Sequence, residues 1–143
     1  MTSPDPLTTA RMLPDVDELT HDFWTGGAVG ELRIVHCQAC GLWLHPPTIM
    51  CRRCRSRDVV PEPVSGRGTV FSVTRNHQPW NPDVPVPYVV ALVELDEQPG
   101  LRLVSNVFGC DPDNIRIGMR VRVRFEDHGT LFVPVFEPDG DAS

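Results

Sequence analysis

At 143 residues the chain has room for one modest domain, or for a small stapled module joined to a unit of roughly 70–80 residues, which excludes a large enzyme. A formal charge of −6 and a pI near 5.2 argue against a general polyanion binder, because nonspecific nucleic-acid affinity comes from neutralising phosphates. All 13 basic residues are arginine, so Schiff-base chemistry and a P-loop lysine are excluded for want of an amine.

Residues 1–13 (MTSPDPLTTARML) are polar and broken by proline, without a periodic apolar face, and read as a flexible arm. Such an arm suits a free subunit or the cut end of a fusion. No charged-then-apolar signal segment opens the chain, and no apolar run approaches the roughly 20 residues a membrane span needs. A cytoplasmic protein without membrane association is expected. Residues 14–36 are expected to form a helix and a lead-in strand. From Pro14, Val16, Leu19, Phe23 and Trp24 fall on one helical face, Asp15, Asp17 and Glu18 sit in the first turn, and Gly26-Gly27 ends it. GELRIVH then reads as a strand leading into Cys37.

Residues 37–58 carry the strongest signal. Two knuckles, Cys37-x-x-Cys40 and Cys51-x-x-Cys54, each present two thiolates from a tight turn and can converge on one tetrahedral ion. Four thiolates leave no open coordination position, so the expected ion is one structural Zn2+ per chain. In a reducing compartment, paired cysteines more often bind metal than form disulfides, and the odd fifth cysteine, Cys110, agrees with this. A rubredoxin-like iron site with the same ligands, a thioredoxin-like dithiol, and substitution of a ligand by His36 or His45 are the weaker alternatives. Both histidines read as bystanders or as groups that buttress the ligands.

VVPEPV makes residues 59–65 a proline-marked spacer. From 66 to 138 the signal is β throughout: GTVFSVTRNH, YVVALVEL, LRLVSNVFG, MRVRVRFED and TLFVPVFEP are β-branched or alternating runs separated by turn residues. Five strands fit a small closed barrel, with a tail at 139–143. In MRVRVRF, Met119, Val121, Val123 and Phe125 share one face and Arg120, Arg122 and Arg124 the other. DEQPG and DHGT read as hairpin turns and CDPDNIRIG as a longer crossover. The fold class expected is therefore mainly β: an N-terminal helix, a rubredoxin-like four-cysteine zinc ribbon, and a five-stranded OB-fold barrel.

No catalytic site is legible. There is no G-x-S-x-G elbow, and Gly66-Arg67-Gly68 is a fragment of a dinucleotide fingerprint that reads as the start of a strand or a bulge. A basic cluster of Arg52, Arg53, Arg55 and Arg57, followed by Arg67 and Arg75, is either a solvated ribbon tip or a face for phosphate or a protein partner. In the loop His77-Gln78-Pro79-Trp80, the tryptophan either caps a pocket, stacks on a base or covers the barrel mouth.

Taken together, Phe23-Trp24, GELRIVHCQACG, PPTIMCRRC, SGRGTVFSVT, PYVVALVELDEQPGLRL, IRIGMRVRVRFED and VPVFEP resemble the rubredoxin-like zinc-ribbon and OB-fold proteins that accompany thiolases. That family was long labelled a domain of unknown function, and the resemblance covers about residues 14–138. It implies a noncatalytic subunit that docks on a thiolase-fold enzyme, either a thiolase or a lipid-transfer-protein-like aldolase. The shared ligand would be acyl-CoA, with hydratase fusion or association in some members. It further implies zinc at Cys37, Cys40, Cys51 and Cys54. For the CoA or partner contacts the candidates are Arg52, Arg53, Arg55, Arg75, His77 and Trp80, and for docking Phe23 and Trp24. The arginine-only composition fits a GC-rich actinobacterium and points to steroid side-chain degradation by retro-aldol cleavage. The other reading, a single-strand nucleic-acid-binding OB module, wants a basic groove with several exposed aromatics, which an acidic chain with ten aromatics does not offer.

Overall fold

The β-branched runs pair into two antiparallel sheets, and short connections dictate which strand meets which. The computed structural model describes residues 11–139. In the first sheet β1 (Leu32–Cys37) lies between β2 (Trp43–Leu44) and β3 (Val59–Val64). The second contains β4 (Arg67–Asn76), β5 (Tyr88–Leu95), β6 (Arg102–Asn106), β7 (Arg120–Asp127) and β8 (Phe132–Pro138), in the order β6-β5-β4-β7-β8.

This second sheet curls into a nearly closed OB-like barrel. Strand β4 pairs with β5 along its length but with β7 only through Arg67–Thr69, and a register shift between Val70 and Ser72 bends it away. The two ends of the sheet then meet, because Val107 bridges Phe136 in parallel, Phe108 N–H donates to the Phe136 carbonyl (2.9 Å), and Ser105 Oγ donates to the Pro134 carbonyl (2.8 Å). Gly68 is required at the crowded start of β4. A Cβ there would lie 2.5 Å from the Glu94 carbonyl oxygen and 2.9 Å from Val93. The Gly-Arg-Gly run is thus the start of a strand, not a phosphate loop.

Alternation in β7 lands as expected. Val121 is fully buried, with Met119, Val123 and Phe125 packed against the same core, while Arg120 forks onto Asp96 (2.7 and 2.6 Å) and Arg122 donates to Glu137 (3.0 Å). Val70, Val93, Ile115, Val121 and Phe136 are the heart of this core, to which β1 contributes Leu32 and Ile34.

Two expectations need correction. The helix begins not at Pro14 but as α1 (His21–Thr25), continued by a 3-10 turn over Gly26–Val29. Thr20 donates its backbone N–H to Asp17 Oδ1 (2.8 Å) and Asp17 N–H donates to Thr20 Oγ1 (3.2 Å), a reciprocal capping turn that sets the start of the helix after Asp17. Val16 and Leu19 are consequently exposed. Nor are residues 59–65 a spacer. Val59–Val64 is a strand along the whole of β1, tolerated as an edge because its two prolines need donate nothing there. No helix among the described residues is long and apolar enough to cross a membrane.

Candidate metal centre and adjoining cleft

The four knuckle cysteines are brought together. Their sulfurs all lie within 4.8 Å of one another, with Cys37 to Cys54 at 3.5 Å and Cys40 to Cys51 at 3.6 Å. Those spacings are far too long for disulfides, and all four thiols are free. They suit a tetrahedral ion: bonds of about 2.3 Å to thiolate put the sulfurs about 3.8 Å apart. Among the described residues this is the one group of three or more His, Cys, Asp or Glu side chains arranged to hold a metal.

Each knuckle is built the same way. Gly41 N–H donates to the Cys37 carbonyl and Arg55 N–H to the Cys51 carbonyl (2.9 Å each), and both donors occupy the left-handed region, at φ 81° and 63°. Glycine takes that conformation freely; Arg55 holds it against its own Cβ. Backbone amides also point at the sulfurs, from Cys40 to Cys37 Sγ (3.5 Å) and from Arg53 to Cys51 Sγ (3.4 Å). The Leu42 backbone N–H, foremost among several donors, pulls the Cys40 thiol down to about 6. Although the Ser56 amide acts to lower it, Cys54 is pushed up to about 11 by desolvation and by the neighbouring thiols.

His36 is no ligand. It stacks on Trp43 (3.9 Å between ring centres), meets the Glu62 carboxylate through Nδ1 and lies 3.1 Å from the Gly41 carbonyl through Nε2, clamping the first knuckle to β3. Arg52, Arg53 and Arg55 are exposed around the second knuckle, with Arg53 donating to the Cys40 carbonyl (3.0 Å). Arg75 needs correction as a candidate phosphate contact. Its guanidinium is taken up by the carbonyls of Pro112 (2.8 Å), Asp113 (3.4 Å) and Ile115, which fasten the crossover before β7. His77 and Trp80 stand on the exposed loop after β4, Trp80 at 79% exposure.

Phe23 is likewise not an exposed docking anchor, being 7% exposed in the barrel core with Trp24 edge-on at 4.8 Å. The aromatic pair instead walls a cleft of about 770 Å³ between α1, the ribbon loop at His45–Pro47 and strands β5 and β6, with Arg11 and Met12 on its rim. None of Arg52, Arg53, Arg55, Arg75, His77 and Trp80 lines it.

The spacing of motifs could not reveal this cleft. Glu126 belongs by alternation to the outward face of β7, yet it is 5% exposed, because Arg11 crosses that face and donates to its carboxylate (2.7 and 3.2 Å) and to Asn106 Oδ1 (2.8 Å). His45 is half-buried against Phe23 (5.0 Å between rings), and desolvation pushes its imidazole down to about 4. The folded value lies below the ordinary 6.5, so the unfolded chain takes up the proton first. Stability is therefore whole above about pH 6.5 and is lost as pH falls towards 4. We expect this histidine to remove on the order of 2 kcal/mol by pH 4.5. Urea unfolding at pH 7 and 4.5 should show a shallower decline in His45→Phe than in the wild type, the comparison cancelling acid loss at the cysteines; parallel declines would show that His45 carries no such penalty.

Residues 24–60 match the family description "ChsH2, rubredoxin-like zinc ribbon domain" and residues 61–126 match "ChsH2, C-terminal OB-fold domain". The chain is 39% identical over 137 residues to the 3-oxo-4,17-pregnadiene-20-carboxyl-CoA hydratase alpha subunit of Mycobacterium tuberculosis, covering 95% of this chain but 43% of that protein. A probable enoyl-CoA hydratase alpha subunit of Thermomonospora curvata is 43% identical over 118 residues, covering 81% and 36%. The chain thus spans less than half the length of these two relatives. A DUF35 domain-containing scaffold protein of Methanothermobacter thermautotrophicus is 38% identical over 91 residues, covering 62% of this chain and 67% of that one. Among solved structures, a chain of the Ltp2-ChsH2(DUF35) aldolase superposes with a TM-score of 0.76 at 40% identity, covering 88% of this chain and 98% of that chain.

Proposed function

Since the chain belongs to the ChsH2 family of zinc-ribbon and OB-fold proteins, we propose that it is a noncatalytic subunit that docks on a thiolase-fold enzyme, stabilises it and helps hold its acyl-CoA. The observation that carries this reading is the likeness to a chain of the Ltp2-ChsH2(DUF35) aldolase over nearly the whole of that chain. Scaffold naming of the archaeal relative agrees with a noncatalytic role. One Zn2+ held by Cys37, Cys40, Cys51 and Cys54 would be structural, fixing the two knuckles to each other and to β1.

The steroid-derived substrate in the name of the mycobacterial relative, together with the aldolase likeness, favours side-chain degradation by retro-aldol cleavage of a β-hydroxyacyl-CoA. In that reaction a partner base takes the β-hydroxyl proton and the oxygen becomes a carbonyl. The carbon–carbon bond breaks with its electron pair passing to the thioester enolate, which is then protonated. This chain supplies walls and surface, with Arg52, Arg55 and Trp80 as exposed candidates for contact with CoA or the partner, and cytoplasmic acyl-CoA metabolism is its setting. The hydratase alpha subunits favour a further association with a hydratase.

Affinity capture of the tagged, zinc-loaded chain from its own cell extract tests this. A thiolase-fold enzyme recovered in near-stoichiometric amount, whose cleavage of an acyl-CoA depends on this chain, is the expected outcome. Recovery of nucleic acid alone would favour the single-strand-binding alternative, and recovery of nothing would overturn the subunit reading.

A further inference from the structure

We propose that the cleft beside α1 is a ligand site in which His45 presents Nε2–H to a neutral carbonyl oxygen on an otherwise apolar guest. A volume of about 770 Å³ is that of a small-molecule site, and Phe23, Tyr88, Val90 and Leu103 make its walls largely apolar. Among the described residues His45 Nδ1 is buried and has no hydrogen-bond partner. Nε2 has no hydrogen-bond partner among the described residues either and is not one of the sealed atoms, so with His45 lining the cleft it is the nitrogen a guest can reach.

Burial keeps the ring neutral at cellular pH, leaving one proton for two nitrogens. A sealed N–H without an acceptor is costlier and rarer than a sealed lone pair, so the proton belongs on Nε2. The cleft's charged side chains are already committed, Arg11 to Glu126 and Asn106, and Arg102 to Glu94 (3.2 Å) and the face of Phe71 (3.6 Å). A charged guest would therefore find no waiting counter-ion, whereas a ketone or thioester carbonyl would find a donor. Identifying the guest as the acyl part of a CoA thioester rests on the subunit reading above; the tautomer and the preference for a neutral acceptor do not.

The test uses the full zinc-loaded chain and two probes of matched shape, 2-acetylnaphthalene and 2-isopropenylnaphthalene, titrated by calorimetry into the wild type and His45→Phe. Comparing the ratio of the two Kd values between proteins cancels the probes' different hydration. We expect the ratio to move against the ketone by about 3- to 10-fold in His45→Phe, the worth of one hydrogen bond. A long-range 15N–1H spectrum of the wild type, which depends on no variant, should show His45 protonated at Nε2. An unchanged ratio, no binding of either probe to the wild type, or a proton on Nδ1 would each overturn the proposal. Probe binding that survives a failed partner capture would retain this site and discard the subunit reading, and the converse result would do the reverse.

Discussion

Cys51→Ser loses its metal and unfolds the ribbon while the barrel stays folded. The ribbon's own core is small, with Val35, Leu42 and Leu44 packed around Cys37 and Cys51. So few apolar side chains cannot offset the entropy of ordering some twenty residues at roughly 1–2 kcal/mol each for the backbone. Metal binding supplies the difference, at an apparent 10–16 kcal/mol or so in small zinc modules. Cys51 is fully buried, accepts the Arg53 amide on sulfur and donates its own N–H to the Ser56 carbonyl (2.9 Å), so its loss removes a ligand and the pivot of the second knuckle. Hydrogen exchange should become fast across residues 37–58, zinc content should fall from one per chain, and partner capture should fail. Amides of β4 to β8 should remain protected, because Val70, Val93, Val121 and Phe136 belong to a core against which only Trp43 of residues 37–58 is packed. Full zinc content with unchanged protection in the variant would show that the clasp does not hold the ribbon.

Phe136→Ala attacks the other half of the molecule at its seam. Phe136 is fully buried in β8, and its backbone carries the hydrogen bond and the parallel bridge that bring β8 to the end of β6. Truncation leaves a cavity under the contacts that close the barrel, and we expect a loss of about 3–5 kcal/mol in urea unfolding. Against a typical total stability of roughly 5–15 kcal/mol, that is a large fraction. Phe71→Ala is the control, since Phe71 is 44% exposed and gives up chiefly its contact with Arg102, worth about 0.5–1 kcal/mol. Equal costs at the two positions would mean that the barrel core is not centred on its seam.

What could be read directly was whatever depends on near neighbours in the chain. Two CxxC pairs fold into knuckles because each needs only its own five residues, and alternation in β7 assigns its faces because successive side chains of a strand point opposite ways. Those local rules carried the zinc-ribbon fold, the five-stranded barrel and the convergence of the four cysteines. They misled where a distant segment outweighed the local pattern: the prolines of Val59–Val64 became an edge strand because β1 lay ready to pair, and Arg75 was consumed by carbonyls some forty positions away. Phe23 turned into the core once the barrel offered it one, and Glu126 was buried by Arg11, 115 positions earlier in the chain. The cleft and the orphaned nitrogen of His45 exist only where α1, the ribbon loop and the barrel wall meet. Spacing and periodicity thus determined the barrel strands and the cysteine clasp. Burial and the partnering of each polar group are sums over contacts between remote segments, and only the tertiary structure decided those.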